Sequence, residues 1–156
     1  LMAITTAAVM PVVDVLAPGN VFVCGGYDGS RCLSCTDRYD PTAGAWQAMP
    51  PMALPREAAA AAVVGGQLYI VGGLNAGGRL DAAERFDPSA GVWEPLPPMR
   101  QRRCNTTAAA FRGRLYVCGG FDGVSCLDSV ESFDPIRTEW RVLPPMGVAR
   151  EGAAAA

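Results

Sequence analysis

The chain has 156 residues, half of them apolar, and its 13 basic and 15 acidic residues give a formal net charge of −2. This composition predicts a folded globular protein rather than a disordered chain. All the basic residues are Arg, His is absent, and no block of like charges occurs. The sequence therefore shows neither the basic footprint of nucleic-acid binding nor a polybasic membrane patch, and it lacks the commonest general base.

Membrane insertion and secretion are not indicated. The longest weakly polar stretches, residues 1–13 and 58–74, are shorter than the roughly 20 residues that a membrane helix needs. The chain begins with Leu and has no charged segment ahead of an apolar one, so a secretory signal is not expected. The six Cys do not form the pattern of a small disulfide scaffold, and reduced thiols in a cytoplasmic protein are the expectation.

An apolar strand that ends in two glycines occurs three times. It reads VFVCGG at 21–26, LYIVGG at 68–73 and LYVCGG at 115–120, so Gly25, Gly72 and Gly119 are 47 residues apart. At the same shift the Asp-Pro pairs, the Pro-Pro-Met triplets and the three Trp also align, without any insertion. A fixed interval of this length indicates a repeat architecture in which each copy is one supersecondary unit.

Each unit reads as four short strands joined by turns. In the second unit Gly65-Gly66 predicts a hairpin turn, and Asp87 begins a turn in which its side chain can cap its own backbone. Pro97-Pro98 ends the last strand, since Pro cannot donate to a ladder. The predicted strands of this unit are Ala58–Val64, Gln67–Val71, Asp81–Phe86 and Val92–Leu96.

The strands of one unit form an antiparallel up-and-down sheet that cannot bury both of its faces, so copies must stack. The first strand is rich in Ala and the fourth carries Trp, which suits radial packing with the first strand nearest the axis. The fold class is therefore all-β, with about three propeller blades. The paired glycines are predicted to let a neighbouring blade's Trp approach closely, and the residues predicted to be structural are Gly25, Gly26, Gly72, Gly73, Gly119, Gly120, Trp46, Trp93 and Trp140.

The double glycine, the Tyr39-Asp40-Pro41 element and its Phe-Asp-Pro copies, the Trp about six residues later and the Pro-Pro-Met before an Arg together resemble kelch repeats. The resemblance implies a propeller of which this chain spans about half a ring, since closed kelch rings have six or seven blades. On this reading residues 1–10 are a remnant, 11–52, 53–99 and 100–146 are three blades, and 147–156 begin another.

Three Arg at equivalent positions are the first candidates for binding. Arg56, Arg103 and Arg150 precede the first strand of successive units, and in an up-and-down sheet they lie at the same end as the loops between strands two and three. There they could hold carboxylates or carbonyls of a bound peptide; alternatively, each Arg ties down neighbouring loop carbonyls, and the two roles are compatible. The loop residues predicted to share this face are Tyr27, Asp28, Arg31, Asn75, Arg79, Phe121 and Asp122.

The remaining reactive residues do not form a convincing site. Cys32 and Cys35 form a C-x-x-C, but no second pair and no His complete a zinc site, so neither a metal nor a cofactor is expected. Cys104 follows two Arg, which leaves redox sensing open because positive charge lowers a thiol pKa. The acidic residues at the equivalent positions 37, 84 and 131 are expected to make structural hydrogen bonds between strands or blades.

A propeller without catalytic machinery is interpreted as a protein-binding module rather than an enzyme. The resemblance is closest to the kelch-like substrate adaptors, in which a separate BTB domain engages a cullin ubiquitin ligase, and it implies a protein or peptide ligand with acidic or carbonyl-rich segments. The alternatives are an actin-associated kelch scaffold and a kelch-fold copper oxidase, whose site would need His ligands from outside this chain.

Overall fold

Three four- or five-stranded sheets follow one another along the chain. The computed structural model describes residues 19–156 and, before them, the backbone of two strands. These two strands lie mostly in the predicted remnant, residues 1–10, whereas residues 12–18, at the start of the predicted first blade, lie outside the described residues. The strands are β1 (Met2–Thr5), β2 (Ala8–Pro11), β3 (Val21–Cys24), β4 (Thr36–Asp40), β5 (Ala45–Met49), β6 (Ala60–Val64), β7 (Gln67–Val71), β8 (Leu74–Asn75), β9 (Gly78–Arg79), β10 (Ala83–Asp87), β11 (Val92–Leu96), β12 (Thr107–Phe111), β13 (Arg114–Cys118), β14 (Val130–Asp134) and β15 (Glu139–Leu143).

The second and third sheets confirm the antiparallel up-and-down prediction. Their strand orders are β6-β7-β10-β11 and β12-β13-β14-β15, and every pair is antiparallel. The predicted ranges of β7 and β11 agree with the structure, whereas β6 and β10 each begin two residues later than predicted. The connection after β7, predicted as a plain loop, contains the small hairpin β8-β9.

The first sheet departs from the four-strand antiparallel prediction. Its order is β2-β1-β3-β4-β5, and β1 lies parallel to β3. The other two sheets have an antiparallel strand at this position. The predicted remnant, residues 1–10, thus supplies β1 and most of β2, which pair differently from the strands of the repeat.

The turns follow from their residues. Gly65 and Gly66 have positive φ angles of 59° and 79°, as the tight hairpin turn predicted between β6 and β7 requires. At the next turn Asp87 Oδ1 accepts hydrogen bonds from the backbone N–H groups of Ser89 and Ala90 at 2.8 and 3.2 Å. The self-capping predicted for Asp87 is thus confirmed, and Asp40 and Asp134 do the same in the other sheets.

Two apolar clusters hold the three sheets together. Phe22 of the first sheet packs with Leu68, Ile70 and Phe86 of the second, and the other face of the second sheet packs on the third in the cluster Tyr69, Val71, Leu115, Val117 and Phe133. The small residues of β6 and β12 place these first strands side by side, as the radial arrangement requires. The three sheets are blades of a partial β-propeller.

The Trp residues of the last strands are packing residues, as predicted for Trp93 and Trp140. The Trp93 ring lies 5.1 Å from that of Phe86, and its Nε1–H donates to the Pro50 carbonyl of the preceding blade at 3.0 Å. Trp140 repeats this arrangement with Phe133 and Pro97. Trp46 packs only against Tyr39 among the described aromatic rings and remains 57% exposed.

Candidate functional site

The loops between the second and third strands and the segments that enter the first strands meet at one end of the blades, called here the loop face. Backbone bridges join Glu57 to Leu74 and Cys104 to Phe121 across this end. The predicted meeting of these segments is therefore confirmed.

The described part of the chain contains no helix long and apolar enough to span a membrane.

Arg56 and Arg103 do not line this face. They are 1% and 0% exposed. Arg56 Nη2 lies 2.6 Å from Glu84 Oε1, and its Nη1 donates to the Gly72 carbonyl at 2.9 Å. Burial lowers the pKa of the Arg56 guanidinium and the Glu84 carboxylate opposes that shift, so an arginine stays charged here.

Arg103 repeats the arrangement with Glu131 at 2.7 Å and the Gly119 carbonyl at 2.8 Å. The prediction that these two guanidinium groups rim an open ligand site is wrong, because each one extends inward from the segment between two blades. The alternative that they bind local carbonyls agrees with the contacts. The structural role expected for the acidic residues is confirmed for Glu84 and Glu131, which also accept backbone hydrogen bonds from Ala53 and Arg100 of the preceding segments.

The double glycines make room for the backbone of these Arg segments rather than for Trp. A Cβ on Gly72, whose φ is +64°, would lie 2.4 Å from the Arg103 carbonyl oxygen. A Cβ on Gly25 or Gly119 would lie 2.5 Å from the carbonyl oxygen of Arg56 or Arg150. The adjacent N–H groups, such as that of Gly73, donate to the same carbonyls. The expectation that glycine admits a neighbouring Trp is therefore corrected.

Three of the predicted binding residues shape their own loops. Asp28 Oδ1 accepts from the N–H groups of Ser30 and Arg31 at 2.8 and 2.9 Å, and these bonds lower the pKa of Asp28 to about 2. Asp122 and Asn75 cap their loops in the same way. Their side-chain oxygens are thus already occupied in part by backbone donors.

Arg79 and Phe121 contact each other between the second and third blades. The Arg79 guanidinium carbon lies 5.3 Å from the centre of the Phe121 ring, a distance at which a cation and an aromatic ring attract. Cys104 lies beside them and is 2% exposed. The Cys104 thiol donates to the Phe121 carbonyl at 3.5 Å. Burial raises the pKa of this thiol, and the Arg79 guanidinium, not Arg102 or Arg103, opposes that shift, so the site does not favour redox sensing by Cys104.

A cavity of about 750 Å³ opens on the loop face between the first two blades. Tyr27 is 48% exposed at this cavity, and the side chain of Arg31 is 79% exposed. Tyr27 and Arg31 are the most exposed of the predicted binding residues that line this cavity, and Asn75, which also lines it, is half-buried. The cavity, called the loop cavity below, is lined by Tyr27, Ser30, Arg31, Cys32, Leu33, Ser34, Cys35, Pro55, Glu57, Leu74, Asn75 and Ala76.

Sequence reasoning missed Glu57 as a member of this site. It directly follows Arg56, and burial, together with the charge of Glu57, raises the pKa of the Cys32 thiol. The repeat held a signal, since Cys126 and Glu151 stand 94 residues after Cys32 and Glu57 and lie 3.9 Å apart, Sγ to Oε1. Among the described residues, no cluster of three or more His, Cys, Asp or Glu could hold a metal ion.

Comparisons with known proteins agree on the fold. The family described as "Kelch motif" matches residues 15–53, 55–100 and 102–147. The solved structure titled "Structure of YjhT" is similar over 80% of this chain and 51% of that chain, with 18% sequence identity and a TM-score of 0.66. The chain thus spans about half the length of this neighbour. No curated protein sequence matches.

Proposed function

Because the chain belongs to the family with kelch motifs, whose propellers bind proteins, we propose that it is part of a substrate-recognition module that captures a partner segment in the loop cavity. The observation that carries the proposal is the joint exposure of Tyr27 and Arg31 at the mouth of that cavity. An exposed aromatic ring beside an Arg is the combination enriched at the energetic centres of protein interfaces.

The charges of the loop cavity favour a mixed rather than a purely acidic ligand. With Arg56 and Arg103 buried, Arg31 is the cation of the cavity lining, and Glu57 is its anion. Leu33, Pro55 and Leu74 supply apolar surface between them. We expect an extended segment whose apolar side chain enters among these three residues and whose neighbouring carboxylate pairs with Arg31.

In the cell, the proposed role is that of an adaptor that delivers substrates to a cullin-type ubiquitin ligase through a domain outside this chain. This step rests on the family relation alone. A cytoplasmic location is proposed with it, supported by the six cysteines, which are all free.

A peptide library screened against the protein, followed by calorimetry of the best ligand, tests this proposal. Tyr27→Ala and Arg31→Glu should each weaken binding at least about tenfold, or about 1.4 kcal/mol, without lowering the melting temperature. Arg137→Glu is the matched control, because its exposed guanidinium lies on the β14–β15 turn at the opposite end of the third blade.

Unchanged affinity in both loop-cavity variants would overturn the assignment of the site. If the protein sediments with filamentous actin and the same two variants do not, the protein would be an actin scaffold rather than a substrate adaptor. Stoichiometric copper in elemental analysis would favour the oxidase instead.

A further inference from the structure

Two gaps open between successive blades at the loop face, and their backbones are alike. The first gap separates the first blade from the second, and the second gap separates the second blade from the third. The bridge between Glu57 and Leu74 in the first gap recurs between Cys104 and Phe121 in the second. Any difference between the two gaps therefore comes from their side chains.

Cys32 in the first gap and Arg79 in the second are the residues that differ most. They are 47 residues apart and directly precede Leu33 and Leu80. Each of these leucines donates its N–H to the carbonyl of the second glycine of its repeat at 2.8 Å. A thiol and an arginine side chain thus begin at equivalent points of the two gaps.

The Arg79 side chain crosses the second gap to the third blade. Its guanidinium carbon lies 5.3 Å from the centre of the Phe121 ring. Its Nη1 and Cζ lie 3.3 and 3.4 Å from the point that a Cβ on Gly123 would occupy. A guanidinium of this chain therefore occupies the second gap.

The corresponding residues of the first gap line the loop cavity. They are Cys32, Glu57, Leu74 and Ala76, each 47 residues before its counterpart in the second gap. Because the Cys32 side chain is much shorter than that of Arg79, the space filled by a guanidinium in the second gap is open in the first.

The first gap also has a carboxylate where the second has a thiol. Glu57 is half-buried and takes part in none of the ion pairs between described residues. Arg31, the cation of the same lining, lies 3.6 Å from Asp28 instead. A carboxylate without a cation beside an open space of this shape favours a cationic group from a ligand.

We propose that the partner segment places an arginine side chain in the first gap, where its guanidinium takes the position that Arg79 takes in the second and pairs with Glu57. This inference rests on the proposed function, because it identifies one side chain of the segment captured in the loop cavity. Arginine suits the site better than lysine, since its planar fork bonds both oxygens of a carboxylate.

A peptide library selected against the parent and against charge variants of Glu57 tests the proposal. Peptides selected by the parent should share an arginine, and replacing it with alanine should weaken binding at least about tenfold. Glu57→Gln should weaken the same peptide at least about tenfold and make it insensitive to the alanine replacement. Glu57→Arg should select an acidic residue in place of the arginine. Glu139→Gln, exposed on β15 of the third blade, is the control and should bind like the parent.

A second measurement needs no ligand. In Cys32→Arg the introduced guanidinium should enter the first gap, as that of Arg79 enters the second, and pair with Glu57. Adding Glu57→Gln should therefore lower the melting temperature more in Cys32→Arg than in the parent. Cys32→Arg should also weaken the selected peptide at least about tenfold, because its side chain fills the place of the peptide's arginine.

The results distinguish this inference from the proposed function. Selected peptides that share no arginine, or that bind Glu57→Gln like the parent, would overturn the inference. The loop cavity would still be the binding site if Tyr27→Ala and Arg31→Glu weakened those peptides. Unchanged affinity in these two variants, or a library without binders, would overturn both proposals. Equal effects of Glu57→Gln on the melting temperatures of the parent and Cys32→Arg would also contradict a guanidinium site in the first gap.

Discussion

At the scale of single residues, the arginine between two blades is the feature that links the repeat to its stability. Arg103 is fully buried with Glu131, while the adjacent Arg102 is exposed and lies 3.5 Å from Asp81. Removing one member of a buried ion pair leaves the other charge unpaired in a medium that solvates it poorly. Surface pairs contribute little because water screens them.

We therefore predict that Arg103→Ala destabilises the protein by about 3–5 kcal/mol in urea unfolding, and that Arg102→Ala costs less than about 1 kcal/mol. Arg103→Lys should also lower the melting temperature. A lysine cannot bond the Gly119 carbonyl and Glu131 with the two arms of a guanidinium. Equal stabilities of the Arg102 and Arg103 variants would contradict this account.

Glycine at the end of β7 is the second residue-scale feature. Gly72 and Gly91 have similar φ angles, +64° and +67°, but a Cβ would meet the Arg103 carbonyl oxygen at 2.4 Å at Gly72 and nothing within 4 Å at Gly91. Gly91→Ala should cost about 1–2 kcal/mol, for the left-handed backbone alone. Gly72→Ala should cost at least about 1–3 kcal/mol more, because the chain must move apart.

Thermal or urea unfolding of both variants measures the difference. If the two substitutions lower the free energy of unfolding equally, the close approach of the Arg103 carbonyl to Gly72 would not matter. The left-handed backbone alone would then explain why glycine recurs at this position in the three repeats.

At the scale of elements, the aspartate turns give the strands and loops a dependence on acid. Hydrogen bonds from backbone N–H groups lower the pKa of Asp28 to about 2 and lower those of Asp87, Asp122 and Asp134. An unfolded Asp has a pKa of about 3.9. A lowered folded-state pKa adds stability that is present above the unfolded value and is lost as the pH falls through the folded value.

We predict that the melting temperature falls as the pH is lowered from about 4 towards 2. Asp87→Asn should weaken this dependence, since the amide oxygen can still accept the turn hydrogen bonds but does not titrate. Asp128→Asn is the control, because the exposed Asp128 side chain makes no hydrogen bond to the described residues. An identical acid response in all three proteins would contradict the assignment of stability to the turns.

At the scale of the whole molecule, each blade is stabilised by its neighbours. The two apolar clusters share no residue, and each joins one pair of blades. Stability is therefore distributed along the row of blades, as in other repeat proteins. The same organisation leaves the loop cavity between two blades rather than within one.

The sequence by itself determined the fold because hydrophobic alternation, turn residues and a 47-residue period are local properties that repeat. The strands of the second unit, the capping by Asp87 and the packing of Trp93 all follow from that pattern. Only the tertiary structure decided where the Arg side chains go. A period places Arg56 and Arg103 at the same end of each blade, but it does not state whether they extend outward or between the sheets.

That choice depends on the next blade. Glu84 and the Gly72 carbonyl are distant from Arg56 in sequence, and together they offer a buried charge the partners that it needs. The loop cavity also depends on distant segments, since Tyr27 and Glu57 come from two different blades. The candidate site therefore lies at Tyr27 and Arg31 rather than at the repeated arginines. Contacts between the blades bury Arg56 and Arg103, whereas Tyr27 and Arg31 remain exposed.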